Sequence, residues 1–326
     1  MKRHIPLILL FFTPFFSLSQ TLGATDAKKL NEAAKAYFYL RGQELTLEHL
    51  RTNGGYDSEL ENVIYNVKQY FSKPKESIRD YLSNSIGESK LTKSEDSLTQ
   101  VVLSKLDLGS INREDAFREI NRRLNKLDGV PENIKTTLIH FKYINNPSAI
   151  INDGFYNIFS SKGHPKAKGT DFNLKYPTIF TEIDGARPNI IRTFNYDLDD
   201  NGFNFNVGVR EGIGNDEVGK VSKQDVLDFI SSGQVKQMIS EDSEFIKAEH
   251  VFIESCNGVK IEFKQKMQRL DLAFEIRFWS YLIFNENHLY TFIFGYNIPN
   301  NGQDLSKKYQ PLITSIMNTF VINTNY

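Results

Sequence analysis

Alternating apolar and polar positions persist longest between residues 272 and 296. Two apolar runs, 272–284 and 289–296, flank a short polar segment, which is typical of a β-hairpin. One face of the first run is nearly all apolar, while the other begins polar and becomes apolar at Trp279 and Tyr281. A sheet with one solvated face would stay polar along that face. The pattern therefore predicts a central hairpin in a sheet with helices on both faces.

Between residues 21 and 145 the apolar positions recur at helical spacing and predict five or six short antiparallel helices. Ser58 and Glu61 form a capping-box pattern, which predicts a helix that begins at Ser58. Ser72 and Pro74 predict a break before a second helix. This part of the chain is therefore predicted to be an all-α domain.

From about residue 171 the apolar positions recur at every second residue, the spacing typical of β-strands. Residues 146–170, which include a basic loop flanked by glycines, are predicted to be a connector, and 171–326 a second domain. Pro311 predicts a kink or a late start in the last helix. The predicted strands are 171–176, 189–196, 203–210, 245–256 and 259–268 with the hairpin, and the predicted helices are 222–231, 235–240 and 305–318. Ser222, with Asp225 at the third position, is predicted to cap the first of these helices. The fold class is α+β.

Three segments of the second domain resemble the PsbP-like family. Phe172–Pro177 resembles an opening strand that ends at a proline, the hairpin resembles the long sheet strands, and 309–322 resembles the closing helix and edge strand. Residues 178–180 depart from the family, where a tryptophan usually follows the proline. The resemblance covers about residues 170–322 and implies a mostly antiparallel sheet between helical layers. It also implies action through binding other proteins, and it supplies no catalytic residues.

The amino-acid composition of the chain limits the classes of function to be expected. Among the 326 residues, 40% are hydrophobic, which favours a folded chain with room for two domains. The formal net charge of −1 gives no electrostatic reason to expect nucleic acid or an anionic membrane as a partner. Cys256 is the only cysteine, so no intramolecular disulfide is possible, and a small buried role is expected for it.

Residues 1–20 have the layout of a secretory signal peptide, with Lys2 and Arg3 before a short apolar run. An uncleaved anchor is the alternative. No later stretch is long and apolar enough to predict a transmembrane segment in the mature chain. The sequence therefore predicts an exported protein, periplasmic or secreted, from a bacterium.

Four residues of the second half are candidates for an anion-binding surface. His164 and Lys166 lie in the basic loop, and Arg187 and Asn189 precede a strand. Arg187 offers a planar guanidinium to a carboxylate, and the loop offers free backbone donors. The alternative is a solvated linker between the domains.

Two aromatic residues are candidates for a ligand pocket. Trp279 and Tyr281 would line it on the face of the predicted hairpin that begins polar, and packing against a helix is the alternative. No motif for catalysis, phosphate binding or a structural zinc site is recognisable. Residues 197–202 match the first half of a calcium loop, but the twelfth position is Gly208, so a hairpin turn is favoured. No metal or cofactor is predicted.

Three functions remain in order of preference. The first is an exported, non-catalytic accessory protein that binds a protein partner through the sheet-rich half or a groove between the halves. The second is a periplasmic binder of a small molecule or lipid near Trp279, Tyr281 and Phe292, which requires an enclosed apolar cavity. The third is a hydrolase using residues such as His250 or Asp197, which would have to meet in one cleft.

Overall fold

The computed structural model describes residues 24–54, 57–106, 113–124, 127–211, 221–269 and 272–323. The predicted signal segment, 1–20, lies outside these residues. The chain divides into two compact units, Met1–Ile144 and Asn145–Tyr326. No described helix has both the length and the apolar character needed to cross a membrane.

The first unit is helical. Its central helix, α1, is buried on almost every side between Ala33 and Gln43, which is typical of a helix that other helices enclose. Two of its helices have 31 and 29 residues, so the prediction of short helices was wrong for them. The helices are α1 (Ala24–Gly54), α2 (Ser58–Ile86), α3 (Glu88–Leu106), α4 (Arg113–Arg122) and α5 (Glu132–Tyr143).

Helix α2 corrects two sequence predictions. Its N-cap is Asp57 and not Ser58, because the Asp57 carboxylate accepts hydrogen bonds from the backbone N–H groups of Glu59 and Leu60, at 2.9 and 3.2 Å. The helix also continues through Pro74, where a break was predicted. Its buried stripe runs without interruption from Leu60 to Ile86, and burial of that stripe offsets the hydrogen bond that proline removes.

The second unit contains two antiparallel sheets. The main sheet has seven strands in the order β3-β4-β5-β9-β8-β7-β6, and the small sheet has the order β1-β2-β10. The predicted hairpin is confirmed as β8 and β9, and β9 is the middle strand of the main sheet. The strands are β1 (Tyr156–Ser160), β2 (Phe172–Pro177), β3 (Thr181–Asp184), β4 (Ile190–Asn195), β5 (Asn204–Glu211), β6 (Ser243–Ile253), β7 (Cys256–Arg269), β8 (Leu272–Asn285), β9 (His288–Asn297) and β10 (Val321–Ile322).

Helices cover both faces of the main sheet, as predicted. The helices of this unit are α6 (Ala149–Asn152), α7 (Lys223–Ser231) and α8 (Ser306–Met317). On the first face, the ring of Tyr309 in α8 stacks on Phe203 at 4.7 Å between centroids. On the second face, Val226 of α7 packs into a buried cluster with Ile261 and Leu282. The Ser222 capping box with Asp225 that begins α7 is also confirmed.

The small sheet packs against the first face of the main sheet through aromatic rings. The ring of Phe172 in β2 lies 5.4 Å from the rings of both Tyr290 and Phe320. Phe159 of β1 contacts Phe194 at 5.8 Å. The strand at 172–177 therefore joins a second sheet, whereas a single sheet was expected from the sequence.

Several boundaries differ from the sequence predictions for local reasons. The predicted strand 245–256 ends earlier, at Ile253, because Glu254 and Ser255 reverse the chain with φ values of 52° and 61°. Residues 146–170, predicted as a connector, contain α6 and β1. Helix α8 begins five residues before Pro311 and continues past it, so the predicted late start was wrong. Burial of Tyr309, Leu312, Ile313 and Ile316 favours the uninterrupted helix.

Candidate functional site

The basic loop is held in place by His164. This side chain caps a short 3-10 helix, Pro165–Ala167, because its Nδ1 accepts the backbone N–H of Lys166 at 3.2 Å. Its Nε2 lies 3.1 Å from Nη1 of Arg192. Burial, with the neighbouring Arg192 and Lys166, lowers the pKa of His164, so the ring is neutral at neutral pH. His164 is thus an organiser of the loop and brings no positive charge to it.

Lys166 and Asn189 also form hydrogen bonds with backbone groups. The Lys166 ammonium donates to the carbonyl oxygens of Gly185 and Arg187, the second at 3.3 Å, and so joins the loop to the turn between β3 and β4. The carbonyl oxygen of Asn189 accepts the N–H of Val209 at 3.1 Å. The structure therefore brings the four predicted residues to one region, where Arg187 is the exposed guanidinium among them.

Trp279 and Tyr281 lie elsewhere, on β8 in the first face of the main sheet. Trp279 is fully buried and stacks on Tyr296 with 5.7 Å between centroids. Tyr281 is also buried and meets the ring of Phe294 edge-on at 5.9 Å. Strand β9 separates β8 from β5, so these rings and the basic loop are not one site. Their packing matches the core alternative.

A charged ladder, which we define as Lys247, Glu249, Lys260, Glu262 and Arg277, crosses β6, β7 and β8 beside these rings. The Lys260 ammonium donates to Glu249 at 2.8 Å, and Nε of Arg277 donates to Glu262 at 2.8 Å. The Nζ atom of Lys247 lies 3.8 Å from Oε2 of Glu262. Lys260 and Glu262 are only 6% and 4% exposed, which makes their pairing essential to burying them.

The ladder also lowers the pKa of one of its carboxylates and places two cations beside aromatic rings. The hydrogen bond from Lys260 lowers the pKa of Glu249 despite its partial burial. The Arg277 guanidinium lies 5.7 Å from the centroid of the Trp279 ring, and the Lys260 ammonium lies 5.8 Å from that of Tyr281. Sequence reasoning missed this ladder. The signal for it was the alternation of charge with period two along both β6 and β7.

Strand β6 is one edge of the main sheet and has 11 residues. Within the described part of the chain, β7 is the only strand that pairs with it. A bulge interrupts the register between Phe245 and Lys247, and the pairing is regular from Lys247 to Ile253. Phe252, near the end of that regular stretch, is 64% exposed. Among the described residues, the outer side of β6 is therefore a long row of backbone groups to which no strand is paired, beside an exposed aromatic ring.

The segment 197–202 is a turn between β4 and β5, as predicted. It contacts α8 through a buried carboxylate, because Asp199 accepts hydrogen bonds from the hydroxyl of Tyr309 at 2.7 Å and from Lys308 at 2.9 Å. The backbone N–H groups of Asn201 and Phe203 also donate to it. Among the residues that the structure describes, no group of three or more His, Cys, Asp or Glu side chains is arranged to hold a metal ion.

No protein-family model and no curated protein matches this chain. Solved structures match about half of it. Cyanobacterial PsbP from Synechocystis sp. PCC 6803 is 17% identical over 51% of this chain and 92% of its own, with a TM-score of 0.33. The Ran-binding protein Mog1p of Saccharomyces cerevisiae is 10% identical over 51% of this chain and 95% of its own, with a TM-score of 0.35. LpqN, involved in cell envelope biogenesis of Mycobacterium tuberculosis, is 10% identical over 54% of this chain and 96% of its own, with a TM-score of 0.32.

The PsbP-like resemblance is confirmed as a likeness of fold. At these identities and scores it carries no argument about what the protein binds. Such an argument has to come from the chemistry of the second unit itself. Its main sheet offers an edge strand stiffened by paired charges, and such an edge can accept a further strand through backbone hydrogen bonds.

Proposed function

We propose that this protein is an exported, non-catalytic binding protein that captures an extended segment of a protein partner along β6. The observation that carries the proposal is the β6 edge, whose regular stretch from Lys247 to Ile253 pairs on one side only within the described residues. A partner segment of about seven residues would complete the unpaired backbone groups on the other side. Export rests on the signal-like sequence of residues 1–20.

Backbone pairing supplies affinity, and the side chains of β6 supply selectivity. Each new backbone hydrogen bond contributes roughly 0.5–1.5 kcal/mol net. Phe252 offers an exposed ring to an apolar side chain of the added strand. Lys247 and Glu249, which are 47% and 43% exposed, favour a partner strand with charges in the opposite order.

The charged ladder prepares the edge for binding. Its buried members, Lys260 and Glu262, fix β7 to both neighbours through Glu249 on β6 and Arg277 on β8. An edge that is already ordered loses little conformational freedom when a strand is added, so more of the contact energy remains as affinity.

The absence of catalysis is part of the proposal, and two positions support it. His250 lies on β6, where its Nε2 is 2.8 Å from Oδ1 of Asn257. Asp197 follows β4 and accepts a hydrogen bond from the Thr181 hydroxyl at 2.8 Å. Four strands, β7, β8, β9 and β5, separate these residues, so they do not share a cleft.

The experiment places a photo-crosslinking phenylalanine derivative at position 252 in the full chain, expressed in its own host. The matched control carries the same group at Ile183, a 47% exposed residue on the opposite edge strand, β3. We expect irradiation to link position 252, and not 183, to one defined protein, with the crosslink mapping to an extended segment. Equal capture at both positions, or a crosslink only to a second copy of this chain, would contradict the proposal.

A further inference from the structure

The charges of β6 alternate in sign with those of β7. Lys247 lies directly opposite Glu262 in the register of the two strands, and Glu249 lies directly opposite Lys260. Nζ of Lys247 is 3.8 Å from Oε2 of Glu262, and Nζ of Lys260 is 2.8 Å from Oε1 of Glu249. Each pair therefore forms a short row that crosses the sheet, and the outer end of the row is a charge on the edge strand.

Both outer charges are accessible to an added strand. The side chains of Lys247 and Glu249 are 47% and 43% exposed, and Nζ of Lys247 contacts Oε2 of Glu249 at 3.3 Å, which holds the two charges side by side. Side chains directly opposite each other on paired strands interact, so that opposite charges stabilise the pairing and like charges destabilise it. An added strand therefore continues each row best with an acid opposite Lys247 and a base opposite Glu249.

The direction of the added strand follows from the rest of the sheet. Every pair of neighbouring strands described in the main sheet is antiparallel, and antiparallel pairing is slightly more stable per residue than parallel pairing. In an antiparallel strand, the residue opposite Glu249 precedes the residue opposite Lys247 by two positions. The residue opposite Phe252, whose exposed ring lies on the other face of β6, precedes the base by three more positions.

We propose, as an inference that rests on the proposed function, that β6 selects antiparallel partner segments with an apolar residue, a base three positions later and an acid two positions after the base. This spacing fixes the register as well as the direction. A slip that keeps every side chain on its own face has to be by an even number of residues. Slipping by two residues puts the base opposite Lys247 or the acid opposite Glu249, and both arrangements place like charges together.

A second copy of β6 satisfies only part of this pattern. Lys247 precedes Glu249 by two positions, as the pattern requires, but Glu244 stands three positions before Lys247, where the pattern has an apolar residue. Pairing of two copies in this register would also include the bulge between Phe245 and Lys247. The pattern therefore favours a different protein as the partner.

The test compares the binding of two fluorescent peptides to the full chain, measured by fluorescence anisotropy. The first peptide is Thr-Phe-Thr-Thr-Lys-Val-Glu, which has the proposed order, and the second exchanges its lysine and glutamate, so that the composition is the same. We expect the first peptide to bind about tenfold more tightly. Equal affinity would overturn the order of charges and keep the β6 edge, whereas binding of neither peptide would contradict the proposed function together with this inference.

A nitroxide at the N-terminus of the first peptide reports its direction. In the antiparallel arrangement it should broaden the NMR signals of amides near Ile253, and broadening near Lys247 instead would overturn the proposal. A peptide with the sequence of residues 243–253 is the third probe. If it binds as tightly as the first peptide, β6 prefers a second copy of itself and the proposal is overturned.

Variants of the chain assign the preference to one side chain. Lys247→Gln removes the charge opposite the acid, leaves Glu262 paired with Arg277, and should reduce the preference between the two peptides to about threefold. Lys264→Gln removes a charge of the same sign from β7, which does not border the added strand, and is the matched control. It should keep the full preference. Equal reductions in both variants would indicate a general effect of charge and would overturn the proposal.

Discussion

The two edges of the seven-stranded sheet differ in length and in how their charges are used. Strand β3 has four residues, all exposed, and its Asp184 pairs with Arg192 of the next strand. Strand β6 has 11 residues, most of them partly buried. Its charged side chains pair with buried charges on β7. Short, charged edges are a common protection against pairing with other chains, whereas long edges invite it.

This difference indicates where the sheet has room for a partner. At the β3 edge, Arg192 is bonded to Glu182 at 2.7 Å as well as to Asp184, and few backbone groups are available beside it. At the β6 edge the regular pairing extends over Lys247 to Ile253. The paired charges of β7 stabilise the strand without covering its outer side. The predictions below test this contrast, beginning with the largest expected effect.

Removing the buried acid behind β6 should have the largest effect. In Glu262→Ala, Arg277 and Lys247 lose a common partner that is only 4% exposed, and we expect a loss of about 3 kcal/mol in the free energy of unfolding. Urea denaturation measures it as a lower midpoint at constant m. Asp184→Ala at the other edge removes an 82% exposed carboxylate and should cost at most about 1 kcal/mol. Similar losses of unfolding free energy in both variants would contradict the proposed difference between the β6 and β3 edges.

The turn between β4 and β5 is joined to α8 by a buried hydrogen bond from Tyr309 to Asp199. Tyr309→Phe deletes the hydroxyl that donates to the Asp199 carboxylate at 2.7 Å, and we expect a loss of about 2 kcal/mol because the acceptor is charged and buried. Thermal and urea unfolding should agree on this loss. Tyr65→Phe, at a 61% exposed site on α2, is the control and should leave stability unchanged. A neutral result for Tyr309→Phe would show that this hydrogen bond does not stabilise the turn, which Lys308 also contacts.

Changing the exposed end of β6 should alter binding more than folding. In Phe252→Lys the free energy of unfolding should change by no more than about 0.5 kcal/mol, because the ring is 64% exposed. Binding of the partner should weaken by about tenfold or more, since lysine on an edge strand opposes pairing. Titration by calorimetry measures the Kd. Ile183→Lys on β3 is the matched variant, and an equal loss of affinity there would refute a role specific to β6.

The smallest effect concerns pH. The pKa of Glu249 is below its ordinary 4.5 in the folded state because Lys260 donates a hydrogen bond to it. Its contribution to stability is therefore present above pH 4.5 and is lost as the pH falls through the lower folded value. Glu249→Gln should give a flatter decline of stability with falling pH than the unaltered chain. Glu244→Gln, at a 67% exposed site on the same strand, should keep the original slope. Identical slopes in all three proteins would contradict the role of Lys260.

The long periodic elements could be predicted from the sequence. The hairpin of β8 and β9 followed from an alternation sustained over many residues, and α7 followed from Ser222 and Asp225. Strand β3 could not, because four exposed residues have no apolar alternation. The turn between β6 and β7 was predicted about three residues too late, because Glu254 and Ser255 adopt a left-handed conformation that is more usual for glycine.

The site was harder to predict because it depends on which strands are neighbours. The charges of Lys247 and Glu262 alternate visibly along their own strands, but only the register of β6 against β7 brings them together. Likewise, the sequence placed His164 and Lys166 in one loop, but their binding to backbone groups required the turn between β3 and β4. An edge position is a property of the whole sheet and has no local pattern.

Amide hydrogen exchange tests most directly whether β6 receives an added strand. The measurement compares the purified chain alone with its complex with the protein captured at position 252, formed without crosslinking. We predict that amides between Lys247 and Ile253 gain protection in the complex, while those of Thr181–Asp184 do not change. Protection gained at Thr181–Asp184, or at neither edge, would contradict the proposed function.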